Sequence, residues 1–590
     1  MKKFLNVLGN YFEAVPDRLR RKRWIVWAGF LALFIFLAMG LPKNKFDMSI
    51  DSWFAKTDPT KLALNHFKDL FGSDDVVYLV YKPKDGDLFS ASSLRAIDGI
   101  REEILNFREG LKEGETSMLE HVTRVDTLSS AKILQAKDGA LVSRRFINQN
   151  YPTTESEKAQ LKKQAMEQRS FPLFYFSEDF QYGAIVIQTD LGTERVNAGD
   201  DVAGFEGEPV EFEESLDVDP ELSDQVEEEM VEFKSVEMTE YTKFMNDLRK
   251  VILQPKYTDQ LEYHPVGNPA TMDILMGQMD EAGIIFMAML VVIILLLWFL
   301  FHSLSAVIWS TLIVVISSVW TLGLTGWVGS TLTTMVSLTM LLILAVGVAD
   351  AVHIISGYLF FRKENLDHEH ALRAAYRKAA LPCLLTTITT MVGMLTLTLS
   401  SISHIGTFGY MSAVGVGFAF LLTLFLLPML LDIWAPVSKK SAKKTKRSFI
   451  PDASALTQKV LVKALPITEK SPATVIGMFL LVFIACIYGS TQVKIDSNLV
   501  DAVKEGTELR INYEIVDNNM AGTQSMEIFI DGGFTDSLLN PELLKTMDLF
   551  QQQIEKKYDH LIARTYSLAN IVKEAYQVLN DGDDQFYAIP

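Results

Sequence analysis

Residues Leu332–Phe360 read LTTMVSLTMLLILAVGVADAVHIISGYLF, an apolar run long enough to cross roughly 30 Å of hydrocarbon yet interrupted at Asp350 and His353. A charged carboxylate at bilayer depth costs about 2.5–3.5 kcal/mol even on insertion scales. Asp350 must therefore be neutralised, paired or turned toward a wet interior, and each option makes its protonation matter. The three-residue spacing sets His353 on the same helical face, one turn later. The plain structural alternative is that Asp350 only hydrogen-bonds a neighbouring helix while His353 sits near the membrane surface.

Six more apolar runs surround this one: Trp24–Leu41, Ala282–Phe301, Ala306–Trp327, Pro382–Ser400, Ile405–Trp434 and Thr474–Gly489. Seven spans in 590 residues, with 49% hydrophobic and 22% charged side chains, make a polytopic α-helical membrane protein. Arg18, Arg20, Arg21, Lys22 and Arg23 precede the first span and place the N-terminus in the cytoplasm by the positive-inside rule. Alternation then puts Arg362–Lys378 and the lysine-rich Ser438–Arg447 on the same side, as that rule requires. A cleaved signal peptide fits less well, because the first run is long and no small-x-small site follows Gly40. Phe4, Leu5, Leu8, Tyr11 and Phe12 share a face, so residues 1–15 are expected to lie along the inner surface. The expected location is the cell inner (plasma) membrane.

The division read from the sequence is a basic N-terminus (1–23), a first span (24–41), an extracytoplasmic domain (42–279), a five-helix bundle (280–434), a basic linker (435–471), a seventh span (472–490) and a second extracytoplasmic stretch (491–590). Residues 205–235 are rich in Glu and Asp and read as a solvated insertion, with no EF-hand spacing. Phe46–Phe54 resembles Gln492–Val500. Asp75–Tyr81, Ala91–Phe107 and His121–Leu128 are answered by Ser525–Ile530, Pro541–Tyr558 and His560–Leu568 as strand, helix and strand. Strands at Ala184–Thr189 and Leu261–Val266 bracket a helix at Met238–Leu253, suggesting a pair of small α+β, ferredoxin-like lobes. The offset of about 445 residues implies a duplicated chain of roughly 850–900, so the second repeat is expected to be incomplete.

A net charge of −18, with basic runs only beside spans, argues against nucleic acid as a partner. Cys383 and Cys486 both lie in apolar runs, so no internal disulfide holds the polar segments. No phosphate-cradling loop, zinc-binding H-E-x-x-H or nucleophile elbow occurs, which disfavours an ATP motor and an enzyme and leaves an ion gradient as the energy source. No cofactor or metal site is expected. Thr386, Thr387, Thr389 and Thr390 could relay a proton near Asp350, although membrane threonines often bond only their own backbone. Gly347, and Gly409, Ala413 and Gly417 at four-residue spacing, allow close helix packing. Asp280, Glu281, His302, His404 and Asp432 lie at run ends and need no catalytic reading.

Gly347-Val348-Ala349-Asp350-Ala351-Val352-His353, with Ala371–Ala380, Thr386–Gly393, Ser401–Gly409 and Gly267-Asn268-Pro269, resembles the resistance-nodulation-division (RND) superfamily, particularly its MMPL-like and sterol-sensing-domain-containing exporters. The resemblance implies a duplicated RND architecture with extracytoplasmic porter domains. Asp350 matches the second acid of the family's G-x-x-x-D-D pattern and His353 the following His, whereas Ala345 and Ala349 replace the first Gly and the first acid. A proton relay of Asp350, His353, Thr386 and Thr390 is thus expected, driving efflux of a hydrophobic or amphipathic small molecule or lipid. A homo-oligomer or a periplasmic partner fits the same pattern. Two other classes fit the spans: a non-transporting sterol- or lipid-sensing receptor, whose ligand response would survive Asp350→Asn, and a protein-translocation accessory factor, which would co-purify with a secretion complex.

Overall fold

The computed structural model describes residues 2–45, 50–54, 58–111, 114–137, 140–148, 150–196, 232–333, 335–436, 462, 466, 469–493, 505–533 and 536–590. The Ser438–Arg447 lysines, most of the acidic insertion and much of the Phe46–Phe54 and Gln492–Val500 pair lie outside the described residues. In chain order the helices and strands are α1 (Lys2–Glu13), α2 (Val15–Arg21), α3 (Arg23–Ala38), α4 (Pro59–Phe71), β1 (Val76–Pro83), α5 (Ala91–Leu105), β2 (Val122–Asp126), β3 (Lys132–Lys137), β4 (Ala140–Arg145) and α6 (Glu155–Glu167). There follow β5 (Gly183–Thr189), α7 (Met238–Ile252), α8 (Pro255–Thr258), β6 (Leu261–Val266), α9 (Asn268–Phe301), α10 (Leu304–Val328), α11 (Val336–Lys363), α12 (His368–Thr396), α13 (Ser403–Phe425) and α14 (Leu427–Ile433). The chain closes with α15 (Pro472–Ser490), α16 (Glu508–Asn519), α17 (Pro541–Lys557) and α18 (Leu568–Leu579). It forms two compact units, residues 1–61 with 279–495, and residues 62–278 with 496–590.

The first unit is helical. Among the described residues six helices are long and apolar enough to cross a membrane, Arg23–Lys43, Leu304–Val328, Val336–Lys363, His368–Leu399, Ser403–Phe425 and Pro472–Ser490, and Met287–Phe301 is a shorter apolar stretch of α9. α10, α11, α12 and α13 pack on one another, and α1 lies against α12. Gly323 of α10 faces the Leu37 carbonyl of α3, and Gly326 faces the Gly40 carbonyl; a Cβ at either glycine would run into that oxygen. Trp327 seals the seam, stacking on Phe36 at 5.0 Å while its Nε1 donates to the Phe36 carbonyl at 2.8 Å. No residue of α15 is buried.

The second unit is built on a four-stranded antiparallel sheet in the order β2-β5-β1-β6. With α5 and α7 as connections this is a split β-α-β arrangement. The two strand-helix-strand units that the sequence divides into two lobes share this one sheet, because β1 pairs with both β5 and β6. Val77, Leu79, Val80 and Tyr81 of β1 are buried, as befits a central strand. Ser90 caps α5, its Oγ accepting from the Ser93 N–H. Val80, Ala184 and Val266 of the sheet cluster with Leu509, Tyr513, Val516 and Met520, so α16 joins the core of this unit.

Of the downstream repeat, α17 stands where a helix is expected, but Ser525–Ile530 and His560–Leu568 form no strands. β1 has a hydrogen-bonding neighbour on each side. No described residue offers a ladder to those two stretches, and unpaired backbone gains nothing from strand geometry.

Candidate functional site

α11 turns one face into the bundle: Thr339, Ile343, Leu344, Gly347, Asp350, Ala351, Ile354, Ile355 and Tyr358 are its buried residues, at helical spacing. Gly347 permits the approach, since a Cβ there would meet Ala419 Cβ at 3.2 Å and Val314 Cγ2 at 3.3 Å. One turn further on, Asp350 is 4% exposed. Its partners come from α12. Thr387 Oγ1 donates to Asp350 Oδ2 at 3.4 Å, and the Cys383 thiol lies beside the same carboxyl. Cys383 and Thr387 are both buried and four residues apart, hence on one face of α12. Pro382, beside Cys383, lacks an N–H and so leaves one helical rung unmade. Among the described residues no cation lies within ion-pair distance of Asp350.

The other residues expected at the site are placed differently. His353 is exposed on α11. Thr386 Oγ1 donates to the carbonyls of Cys383 and Pro382 at 2.9 and 3.2 Å, and Thr390 Oγ1 to the Thr386 carbonyl at 2.9 Å. Both hydroxyls are spent on their own helix. Among the described residues none of these three hydrogen-bonds Asp350; His353 stands near enough to act on it electrostatically, and Cys383, which had no assigned role, lies beside it. The i, i+4 spacing of two small polarisable residues behind Pro382 is the signal that could have found the pair.

Asp350 stands at a boundary in the bundle. Toward the Val336 end of α11 the interior holds buried hydroxyls, with Ser317, Thr321 and Thr325 bonding in a ladder along α10 and Ser412 reaching Thr339 at 3.5 Å. Toward the Lys363 end it is packed with Ile354, Ile355, Tyr376, Phe420 and Leu427. That end is tied off by charge. His368 links Tyr358 Oη to Asp432 Oδ1, each at 2.8 Å, and Arg20 of α2 grips Asp432 through Nε and a terminal nitrogen at 2.9 and 2.7 Å. Arg20 also meets Glu369 at 2.8 Å. At the opposite end of α13, His404 is buried, with Nε2 2.7 Å from Ser52 Oγ and its ring 4.7 Å from that of Trp53. Asp432 and His404, which need no catalytic role, are thus helix-joining residues.

In the second unit a cleft of about 900 Å³ opens beside α5, α7 and α8, walled by Glu102, Glu109, Glu115 and Asp247 with Phe107 and Leu119. Elsewhere in that unit the Gly267-Asn268-Pro269 corner serves structure. Gly267 has φ +103°, and a Cβ there would strike the Val76 carbonyl. Asn268 Nδ2 and Tyr241 Oη each donate to the Asp75 carboxylate at 2.6 Å. Burial pushes the Asp75 carboxyl above the usual range, and these two donors oppose it. Among the described residues no three His, Cys, Asp or Glu side chains are placed to hold a metal ion.

Residues 229–460 match the model of the MMPL family. A Methanocaldococcus jannaschii protein, named as a membrane protein, is 26% identical over 192 residues, which is 32% of this chain and 49% of that protein. The chain thus spans about half the length of the curated relative it matches.

Proposed function

We propose that this chain, whose residues 229–460 match the MMPL family model, is an RND/MMPL-like membrane protein that exports a hydrophobic or amphipathic molecule, such as a lipid or a drug, using the proton gradient. Asp350 carries the coupling proton. The observation that supports this reading is a carboxyl 4% exposed inside an apolar bundle, bonded by a hydroxyl and, among the described residues, with no cation within ion-pair distance. An unpaired charge at that depth is costly, and a proton taken up there removes the cost. A charge-tied plug closes the inner end, so a proton would enter from the outer side and leave only after the helices around the plug repack. Thr387 and Cys383 are the residues that would feel the change in charge first. The extracytoplasmic unit, with its split β-α-β sheet, serves as a porter domain along the substrate path, and its duplication would supply the second half of that path.

The test is transport by proteoliposomes holding the purified protein, with an imposed pH gradient and a labelled lipid or dye. Asp350→Asn keeps the shape of the side chain and can still accept from Thr387 but cannot carry a proton. It should abolish gradient-driven transport while leaving the circular dichroism spectrum unchanged. Gradient-driven transport at the wild-type rate by this variant would remove Asp350 from the mechanism.

A further inference from the structure

We infer that the junction of α2 and α3 is a docking surface for the anionic headgroups of bilayer phospholipids. This rests on the chain spanning a membrane and not on the proton reading.

The two helices before the first span divide their charges between two destinations. Glu13, Asp17 and Arg20 are committed inside the protein, to Arg377 at 3.2 Å, to Arg373 at 2.5 Å, and to Asp432 and Glu369 respectively. Arg18, Arg21, Lys22 and Arg23 are exposed, and among the described residues none has a carboxylate within ion-pair distance. A fold that pairs one arginine of this run with three acids while giving the other four cations no carboxylate has not run short of acids. The four face a partner of their own.

The surroundings define its chemistry. Arg23 is followed at once by Trp24 and Ile25, which are 75% and 71% exposed at the start of the span. The Arg23 guanidinium lies 5.5 Å from the Trp24 ring, and that of Arg18 lies 4.9 Å from the exposed Tyr11. Cations stacked on aromatic rings, one residue from an apolar helix surface, suit a molecule with a phosphate at one end and acyl chains at the other. Because Trp24 opens the first span, the cations beside it stand at headgroup depth, where the anion within reach is a lipid phosphate. A basic residue beside an anionic membrane surface is worth about five-fold in affinity, so four make a substantial site.

The experiment uses the purified full chain in neutral detergent and counts bound lipid by native mass spectrometry as phosphatidylglycerol or phosphatidylcholine is titrated in. Wild-type protein should retain phosphatidylglycerol in preference to phosphatidylcholine. Arg21→Gln should weaken that retention about five-fold, and the combined Arg18→Gln, Arg21→Gln, Lys22→Gln and Arg23→Gln variant by two orders of magnitude or more. The single variant guards against misfolding of the combined one. Equal retention of both lipids by the wild type, or undiminished phosphatidylglycerol binding by both variants, would overturn the inference. So would displacement of the lipid by inorganic phosphate or by soluble polyglutamate at matched ionic strength, since either would show a site for free anions.

Discussion

Replacing Asn268 with alanine removes one of the two donors that face the Asp75 carboxylate. Asp75 is 3% exposed, and water cannot readily take the place of the lost N–H. Hydrogen bonds to charged groups contribute about 1.5–3 kcal/mol, and the 2.6 Å contact at Asn268 is a short one. The pH dependence has a definite sign. Burial raises the Asp75 carboxyl in the folded protein, so the fold loses stability as pH climbs from the ordinary carboxyl range through the raised value, and is level above it. Asn268 favours the charged form. Its removal therefore costs most where Asp75 is ionised and least where Asp75 is protonated. We expect the deficit to be larger at pH 8 than at pH 4, with about 1.5–3 kcal/mol as its ceiling once Asp75 is fully ionised. Hydrogen–deuterium exchange reads it as lost protection in peptides covering β1 and β6, which flank the corner, with each pH corrected for its intrinsic rate. A deficit as large at pH 4 as at pH 8, or none at pH 8, would refute the reasoning.

Thr387→Val should slow proton-driven transport about ten-fold, the kinetic equivalent of one lost hydrogen bond to a carboxyl, whereas Thr386→Val and Thr390→Val should leave it near wild type; initial rates in proteoliposomes decide between them. Gly323→Leu should destabilise the α3–α10 seam by about 1–3 kcal/mol, seen as a lower unfolding midpoint in detergent. Gly29→Leu is the matched control, because nothing lies within 4 Å of a Cβ there, and it should shift the midpoint little.

Asp350 is conspicuous in the sequence because a charge in an apolar run needs no partner to be noticed. Its partners are harder to read. Four threonines crowd Thr386–Thr390, and only the rotational phase of α12 against α11 decides that Thr387 and Cys383 turn inward while Thr386 and Thr390 bond their own carbonyls. That phase comes from packing of Ala375, Tyr376 and Ala380, whose apolar character alone gives a stripe but not its bearing. His353 shares a helical side with Asp350 by spacing yet sits on the exposed margin of that side. The strands β1, β5 and β6 are legible as β-branched runs, but their gathering into one sheet depends on long-range pairing that local pattern does not carry. The same limit explains Ser525–Ile530, which has a strand's composition and, among the described residues, no strand to pair with.

The helix α16 covers one side of a sheet whose last strand ends at Val266, yet its first core residue is Leu509. A ribosome adding about 5–20 residues per second needs on the order of ten to fifty seconds to make the roughly 240 residues between them. Throughout that interval Val80, Ala184 and Val266 lack the lid that finally shields them, and several spans must be threaded into the bilayer meanwhile. Maturation of this lobe is accordingly a late event in biogenesis. The bare surface is where a holdase would be needed, and where a stalled or clipped nascent chain would first aggregate.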